Sequence, residues 1–444
     1  MSRTYAHVVC TLCGVLCDDI VVRTKGQRVA EANTHGCAPG RAFFLDERPQ
    51  PVPRVRGWAV ALATAVDQAA TLLAHARHPL IAGLSATSSE AQRRAVALAD
   101  ALGASIDAPL SPTLGPRVLA LQMVGEVFAT LGEVKNRADL IICWGVDPLR
   151  SHPRLLSRDA LNPAGLFVSG GRVDRTLVVI DTDRTATAAE ADWFLQVRPA
   201  EDFEALVTLR AWLRGHAVAT TELAGQPAAE WRRLFDLLRG ARYGVIFYGP
   251  GLSMTGGQHH NLAQLFALVQ DLHRYTRCTS IPLRGPLGHG NAAGAYKVLT
   301  WQTGYPFAVN MSRGYPRYNP GEFTMDDLLR RGEVDVVLFL GDVATRDLSR
   351  VALQALTHIP RVVVGAVEDR SAEVSIPTAI YGIHAAGTMY RLDGVPLRAR
   401  QLVESELPSD AEVLTRLLKR LQSSTERDLS EAGDRTHRGA DLAV

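Results

Sequence analysis

Four of the six cysteines in this 444-residue chain, Cys10, Cys13, Cys17 and Cys37, lie within its first 37 residues. Their spacing is C-x2-C-x3-C-x19-C. In a reducing compartment such a cluster points to metal rather than to disulfides. Two thiols three apart, with a third four further on, can wrap one corner of a cluster. The fourth closes the cage from a later turn, where Gly36 and Gly40 let the backbone bend. Thiolates are the normal ligands of [4Fe–4S] clusters, and that is the expected occupant. A structural zinc with four thiolate ligands and a site that stays empty are the other readings. The pattern lacks the paired CxxC…CxxC of a zinc ribbon.

Other groups carry weaker signals. Asp18 and Asp19 follow Cys17 and are expected to accept backbone hydrogen bonds in the cysteine loop. His152, in RSHPR, reads as structural. His259 and His260, in GGQHH, are adjacent in one loop and are expected to point apart. Cys143 and Cys278 read as packed apolar cysteines. No Ser-His-Asp order and no paired-carboxylate spacing stands out.

The elements that position these residues follow a strand, loop, helix rhythm. Two short strands, Ile20–Arg23 and Arg28–Ala32, belong to an N-terminal cysteine lobe spanning 1–50. A proline-rich stretch, RPQPVPRVRG (48–57), marks its boundary. Apolar runs of buried-strand length then occur at His78–Leu84, Ala138–Gly145, Thr176–Asp181, Ala241–Gly249, Val334–Gly341 and Pro360–Gly365. The first leads through SATSSE, rich in N-cap residues, into a helix that ends near Gly103. Strands apolar throughout, alternating with helices, predict an α/β fold of parallel sheets flanked by helices across 51–420. The segment 421–444 is polar, with little to bury, and is expected to be mobile.

Ligands of open parallel sheets bind at the carboxyl ends of the strands. Those ends supply Gly145 and Asp147, Asp181, Gly251 and Ser253, and Gly341 and Asp342. Glycine allows close backbone approach, and Ser and Asp can bond ribose or a purine. None of these loops is a GxGxxG or Walker motif, so each taken alone also reads as an ordinary strand-to-helix turn.

Bulk properties narrow the field. The composition, 47% hydrophobic and 21% charged, is that of a globular chain. A net charge of +2 gives no reason to expect nucleic acid or an anionic membrane as partner. No apolar stretch approaches the roughly 18 residues of a membrane span, and MSRTYAHVVCTLCG has no long apolar core. A cytoplasmic location is expected.

A family resemblance sharpens the cysteine reading. CTLCGVLCDDI (10–20) and HGCAPGRAFF (35–44) resemble the start of the B subunit of formylmethanofuran dehydrogenase, of the molybdopterin oxidoreductases. The likeness continues through GEVKNRADLIICWGVDPLRSHPRLLSR (132–158), WQTGYPFAVNMSRGYPRYNPGE (301–322) and IPTAIYGIHAAGTMYRLDGVPLR (376–398). It implies a cluster lobe and α/β domains cradling a bis-pterin guanine dinucleotide with tungsten or molybdenum, with the strand-end loops as its seat. It also implies partner subunits.

One segment departs from the family. Active members carry a metal-ligating cysteine in a segment resembling CHGP, followed by an active-site histidine. Here the segment reads TLGP, so Thr113 and Leu114 occupy the two positions. A hard, neutral hydroxyl is no equal of a soft thiolate as a ligand, and leucine carries no proton. The resemblance therefore implies a degenerate redox site without the pterin-bound metal. It points to the B subunit of the bacterial formyltransferase/hydrolase complex, a scaffold in formyl chemistry on methanopterin-type and methanofuran-type carriers. An active dehydrogenase with a non-cysteine metal ligand is the alternative, and an iron–sulfur electron carrier a third reading. Arg284, His289, Asn291, Arg313 and Arg317 match family segments near that centre and are expected to form a satisfied polar network.

Overall fold

The computed structural model describes residues 2–45, 51–283, 289–343, 345 and 348–423. Residues 424–444 of the expected tail, the first three residues of the proline-rich boundary (48–50) and Arg284 lie outside them.

In chain order the cysteine lobe contributes strands β1 (Ser2–Val8), β2 (Ile20–Lys25) and β3 (Arg28–Asn33) and helix α1 (Ala38–Phe44). Strand β4 (Pro79–Gly83) feeds helix α2 (Ser89–Leu102) and strand β5 (Ser105–Ile106), which runs into helix α3 (Ser111–Val124). Strands β6 (Leu140–Trp144), β7 (Thr176–Asp181), β8 (Trp193–Gln196) and β9 (Tyr243–Tyr248) follow. Next come helix α4 (His259–Leu272), strand β10 (Arg277–Pro282) and helix α5 (Met325–Arg330). Strands β11 (Val336–Leu340), β12 (Arg361–Gly365) and β13 (Val374–Pro377) complete the frame.

The six apolar runs read from the sequence all form strands, trimmed by one or two residues at some ends. They fall into two sheets. One has the order β8-β7-β6-β9-β10, and every pairing in it is parallel. The other is built on β5-β4-β11-β12-β13, also parallel, with short antiparallel strands on both edges. Each central strand is buried along its length, as parallel sheets covered on both faces require. Helix α2 begins where Ser88 accepts a hydrogen bond from Ala91 N, and it ends at Gly103, whose φ of 61° closes the turn at no Cβ penalty.

The cysteine lobe is a three-stranded antiparallel sheet in the order β1-β2-β3. It has no core of its own. Val8, Ile20, Val22 and Phe44 pack into one apolar cluster with Ile141, Val179 and Phe247 of the β6 sheet and with Leu131 of the helix before it. Burying those side chains is what docks the lobe. Among the described residues no helix is long and apolar enough to cross a membrane.

Candidate functional site

The first cysteine loop folds on itself. Cys10 N donates to Cys17 O at 2.8 Å and Leu16 N to Cys13 O at 3.1 Å. Cys37 arrives from a second turn, through Gly36 at a φ of 83°, and caps α1. The turn is tied by Thr34, whose hydroxyl donates to Cys37 O at 2.9 Å. All four thiols border one cavity, together with Leu12, Ile20, Thr34, Pro153 and Arg154. A Cβ on Gly40 would stand 3.3 Å from Cys37 Sγ, so this glycine leaves the fourth thiol its room.

Burial governs the chemistry of these thiols. It pushes Cys13 up to about 11 and Cys17 up to about 12, and Cys10 higher still, with neighbouring sulfurs adding repulsion. Unaided, they stay protonated at neutral pH, so they do not act as free nucleophiles. A metal centre supplies the positive charge that displaces their protons. The donor set is all soft sulfur, which suits iron–sulfur or zinc chemistry. Among the described residues no three Cys, His, Asp or Glu side chains converge as ligands of a single ion.

A charged collar joins this loop to the body. Arg154 grips Asp19 through both terminal nitrogens, each at 2.6 Å. Arg158 pairs with Asp18 and with Asp159, the latter at 3.0 Å. The expectation that Asp18 and Asp19 serve backbone groups of the cysteine loop is thus corrected: the arginines, 135 to 140 residues away in sequence, claim both carboxylates. Burial pushes Asp19 up, but the Arg154 pairing overrides it and holds the carboxyl at about 2. His152 is buried against Gly14, and burial holds it down at about 4, so it is a neutral packing residue. The loop is also stitched to distant chain. Thr11 donates its hydroxyl to Tyr381 O at 2.9 Å, and Leu392 N donates to Gly14 O at 2.8 Å.

A second, larger cavity of about 640 Å³ lies where the two parallel sheets meet. Thr113 and Pro116 of α3, Met254 and His259 near the start of α4, and Phe307 and Asp326 border it. The Thr113 hydroxyl donates its proton to Leu110 O at 3.0 Å, so it faces the cavity as a hard, neutral oxygen. Leu114 turns away into the apolar core that includes Phe307 and Phe339. The turn is pinned from beneath by Asp107, which sequence reading missed. This fully buried carboxylate accepts from Ser111 Oγ at 2.7 Å, Met325 N at 2.8 Å and Ala308 N at 3.0 Å. Burial still pushes it up to about 6. Its only signal in the sequence is an acid just after a short strand. His259 and His260 do not point apart: their ring centroids are 4.0 Å apart on the first turn of α4. Gln258, with a φ of 42°, is the N-cap of this helix, which places both histidines on its first turn rather than in the loop.

No family model matches the chain. Individual relatives do. It is 40% identical to the B subunit of tungsten-containing formylmethanofuran dehydrogenase 2 of Methanocaldococcus jannaschii, across 95% of this chain and 99% of that one. The protein of the same description from Methanococcus maripaludis is 37% identical across 94% and 99%. The chain belongs to the family of formylmethanofuran dehydrogenase B subunits. The B subunit of the formyltransferase/hydrolase complex of Methylorubrum extorquens is 31% identical across 83% of this chain and 97% of its own. The expected likeness to that complex is therefore present, at lower identity than to the tungsten-containing proteins. The crystal structure of the same complex with methylofuran aligns at a TM-score of 0.70 and 27% identity, covering 84% of this chain and 99% of that one. Acetylene hydratase from Pelobacter acetylenicus aligns at a TM-score of 0.63, covering 94% of this chain and 69% of that one. At 14% identity it shows the fold alone, which is molybdopterin-oxidoreductase-like.

Within this member of the formylmethanofuran dehydrogenase family, the seven strand-end residues fall into two groups. Gly145, Asp147, Gly251 and Ser253 gather beyond β6 and β9, with Asp181 at the end of β7. Gly145 and Gly251 touch backbone to backbone: a Cβ on Gly145 would lie 2.6 Å from Leu252 N, and one on Gly251 2.7 Å from Gly145 O. Asp147 accepts from Thr187, backbone and hydroxyl, and Asp181 from Thr182 N at 2.8 Å. Ser253 is buried. At the end of β11, Gly341 packs on Ala86, and Asp342 accepts from Ser85 Oγ at 2.8 Å with His289 Nε2 at 3.9 Å. None of the seven borders the 640 Å³ cavity. Asn291 binds Thr87 O at 2.8 Å and Tyr390 N at 2.7 Å, and Arg317 binds Asn310 at 2.6 Å. Arg313 is exposed.

Proposed function

We propose that this chain is a non-catalytic scaffold within a formyl-handling complex of the formyltransferase/hydrolase type. It joins the other subunits, holds a [4Fe–4S] cluster on Cys10, Cys13, Cys17 and Cys37, and lacks the bis-pterin guanine dinucleotide with tungsten or molybdenum. The observation that carries this reading is the TLGP turn. Thr113 commits its hydroxyl to its own helix start, and Leu114 is part of the apolar core. Both positions that the resemblance assigns to redox chemistry therefore hold a hard, neutral hydroxyl and an apolar side chain in place of a soft thiolate and a titratable imidazole. Formyl transfer between carriers and hydrolysis to formate move no electrons, so a complex running them needs no such centre. Four thiols bordering one cavity supply an all-sulfur donor set, and their C-x2-C-x3-C-x19-C spacing, which lacks the paired CxxC…CxxC of a zinc ribbon, supports a cluster over one zinc.

An active dehydrogenase component is the second reading. Higher identity to the tungsten-containing relatives and the open space beside Thr113 favour it. One experiment separates the two. The purified complex is analysed for iron, zinc, tungsten and molybdenum, and for pterin released by denaturation. Iron near four per chain, with no tungsten, molybdenum or pterin, is the expected result. Stoichiometric tungsten or molybdenum with pterin, and viologen-linked oxidation of a formylated carrier, would establish the dehydrogenase reading instead.

A further inference from the structure

Arg154 is the one cationic residue among the described residues that border the four-cysteine cavity. It is 8% exposed. Its two terminal nitrogens are fixed by Asp19 at 2.6 Å each, which sets the plane of the guanidinium. The same side chain reaches the Cys17 sulfur, and its buried Nε has no partner among the described residues. A buried N–H without an acceptor is costly, by about 1–3 kcal/mol. It therefore marks a donor that awaits a ligand. Arg158 lies behind, engaged by Asp18 and Asp159, and does not border the cavity.

We propose that Arg154 is a positioning residue for the anionic cluster: its guanidinium, aimed by Asp19, has Nε left to donate at the Cys17 thiolate and the cluster's edge, and it sets the potential at which the cluster is reduced. The inference rests on the cluster reading above. A thiolate-ligated cluster is negatively charged and gains one more negative charge on reduction. A guanidinium, which never deprotonates in proteins, favours the reduced form. Asp19 contributes the opposite sign from further out while holding the arginine in place.

The opposed signs make the test. Full-length chain in its complex is reconstituted anaerobically with iron and sulfide, and the cluster is titrated by electron paramagnetic resonance as wild type, Arg154→Met, Arg154→Gln and Asp19→Asn. Iron and acid-labile sulfide are measured in each. The expected result is a lower midpoint potential in both Arg154 variants and a higher one in Asp19→Asn, with faster bleaching by a chelator in Arg154→Met. Arg154→Gln keeps bulk and a donor without the charge, so it carries the test if the methionine variant does not fold. Equal potentials in all four proteins, or shifts of one sign in all variants, would overturn the role of Arg154 and leave the cluster reading intact. Absence of a cluster in the wild type would overturn both.

Discussion

The cysteine collar and the TLGP turn each rest on a buried or half-buried carboxylate, and the two carboxylates are shifted in opposite directions. In the cysteine collar, Asp19 is held down at about 2 by a bidentate arginine and contributes to stability as an anion. Beneath the TLGP turn, Asp107 is pushed up to about 6, and its three donors do not fully offset burial. The collar borders four thiols and leaves Arg154 Nε without a partner among the described residues. The TLGP turn rests on a buried carboxylate and presents a hydroxyl that donates to Leu110 O and a leucine packed in the core. The shape of that turn is fixed by its buried neighbours rather than by the side chains at Thr113 and Leu114.

The comparison breaks most visibly at the cysteines. Cys13→Ser should abolish stoichiometric metal and lower the unfolding temperature of the complex, because metal binding to such a site is coupled to folding. Retention of iron by the variant, measured by elemental analysis, would show that this ligand is dispensable. Leu114→Ala should cost about 2–5 kcal/mol in denaturant unfolding without altering metal content. A change in metal content would place Leu114 at a metal site rather than in the core.

The two carboxylates give opposite pH profiles of stability. Asp19 is depressed in the folded state, so its contribution is present above its unfolded value near 4 and is lost as pH falls through about 2. Asp107 is raised, so its contribution is greatest below about pH 4 and declines as pH rises through about 6. Asp107→Asn should flatten the unfolding profile between those limits while leaving the acid limb unchanged. Asp19→Asn should do the reverse. Smallest of all, Thr113→Cys should shift stability by less than about 1 kcal/mol and should not bring tungsten or molybdenum into the complex. Uptake of either metal by that variant would mean that the cavity still accepts the pterin.

Much of the frame was legible because parallel strands buried on both faces read as unbroken apolar runs, as LIICW (140–144) and VVLFL (336–340) do. Strand β1 was not, because SRTYAHV is almost wholly exposed and is held by backbone pairing to β2. Partition into two sheets was not legible either, since it depends on which edges meet after the crossovers. At the site, thiol spacing carried the cysteine quartet. The pairing of Asp19 with Arg154 spans 135 residues and leaves no local pattern. His259 and His260 were misread because they open a helix rather than lie in the loop, and GGQHH carries no signal for where that helix begins.

The long stitches on the cysteine loop have a consequence for biogenesis. Thr11 is tied to Tyr381 and Gly14 to Leu392, so the loop cannot adopt its final form until some 370 further residues have been synthesised. During that interval the thiols are born early and enclosed late. Synthesis therefore leaves an interval in which the quartet is open to solvent and to any metal donor, and it closes when the last part of the body folds over it. A chain truncated before Tyr381 should accept metal loosely and surrender it to a weak chelator, whereas the complete chain should not.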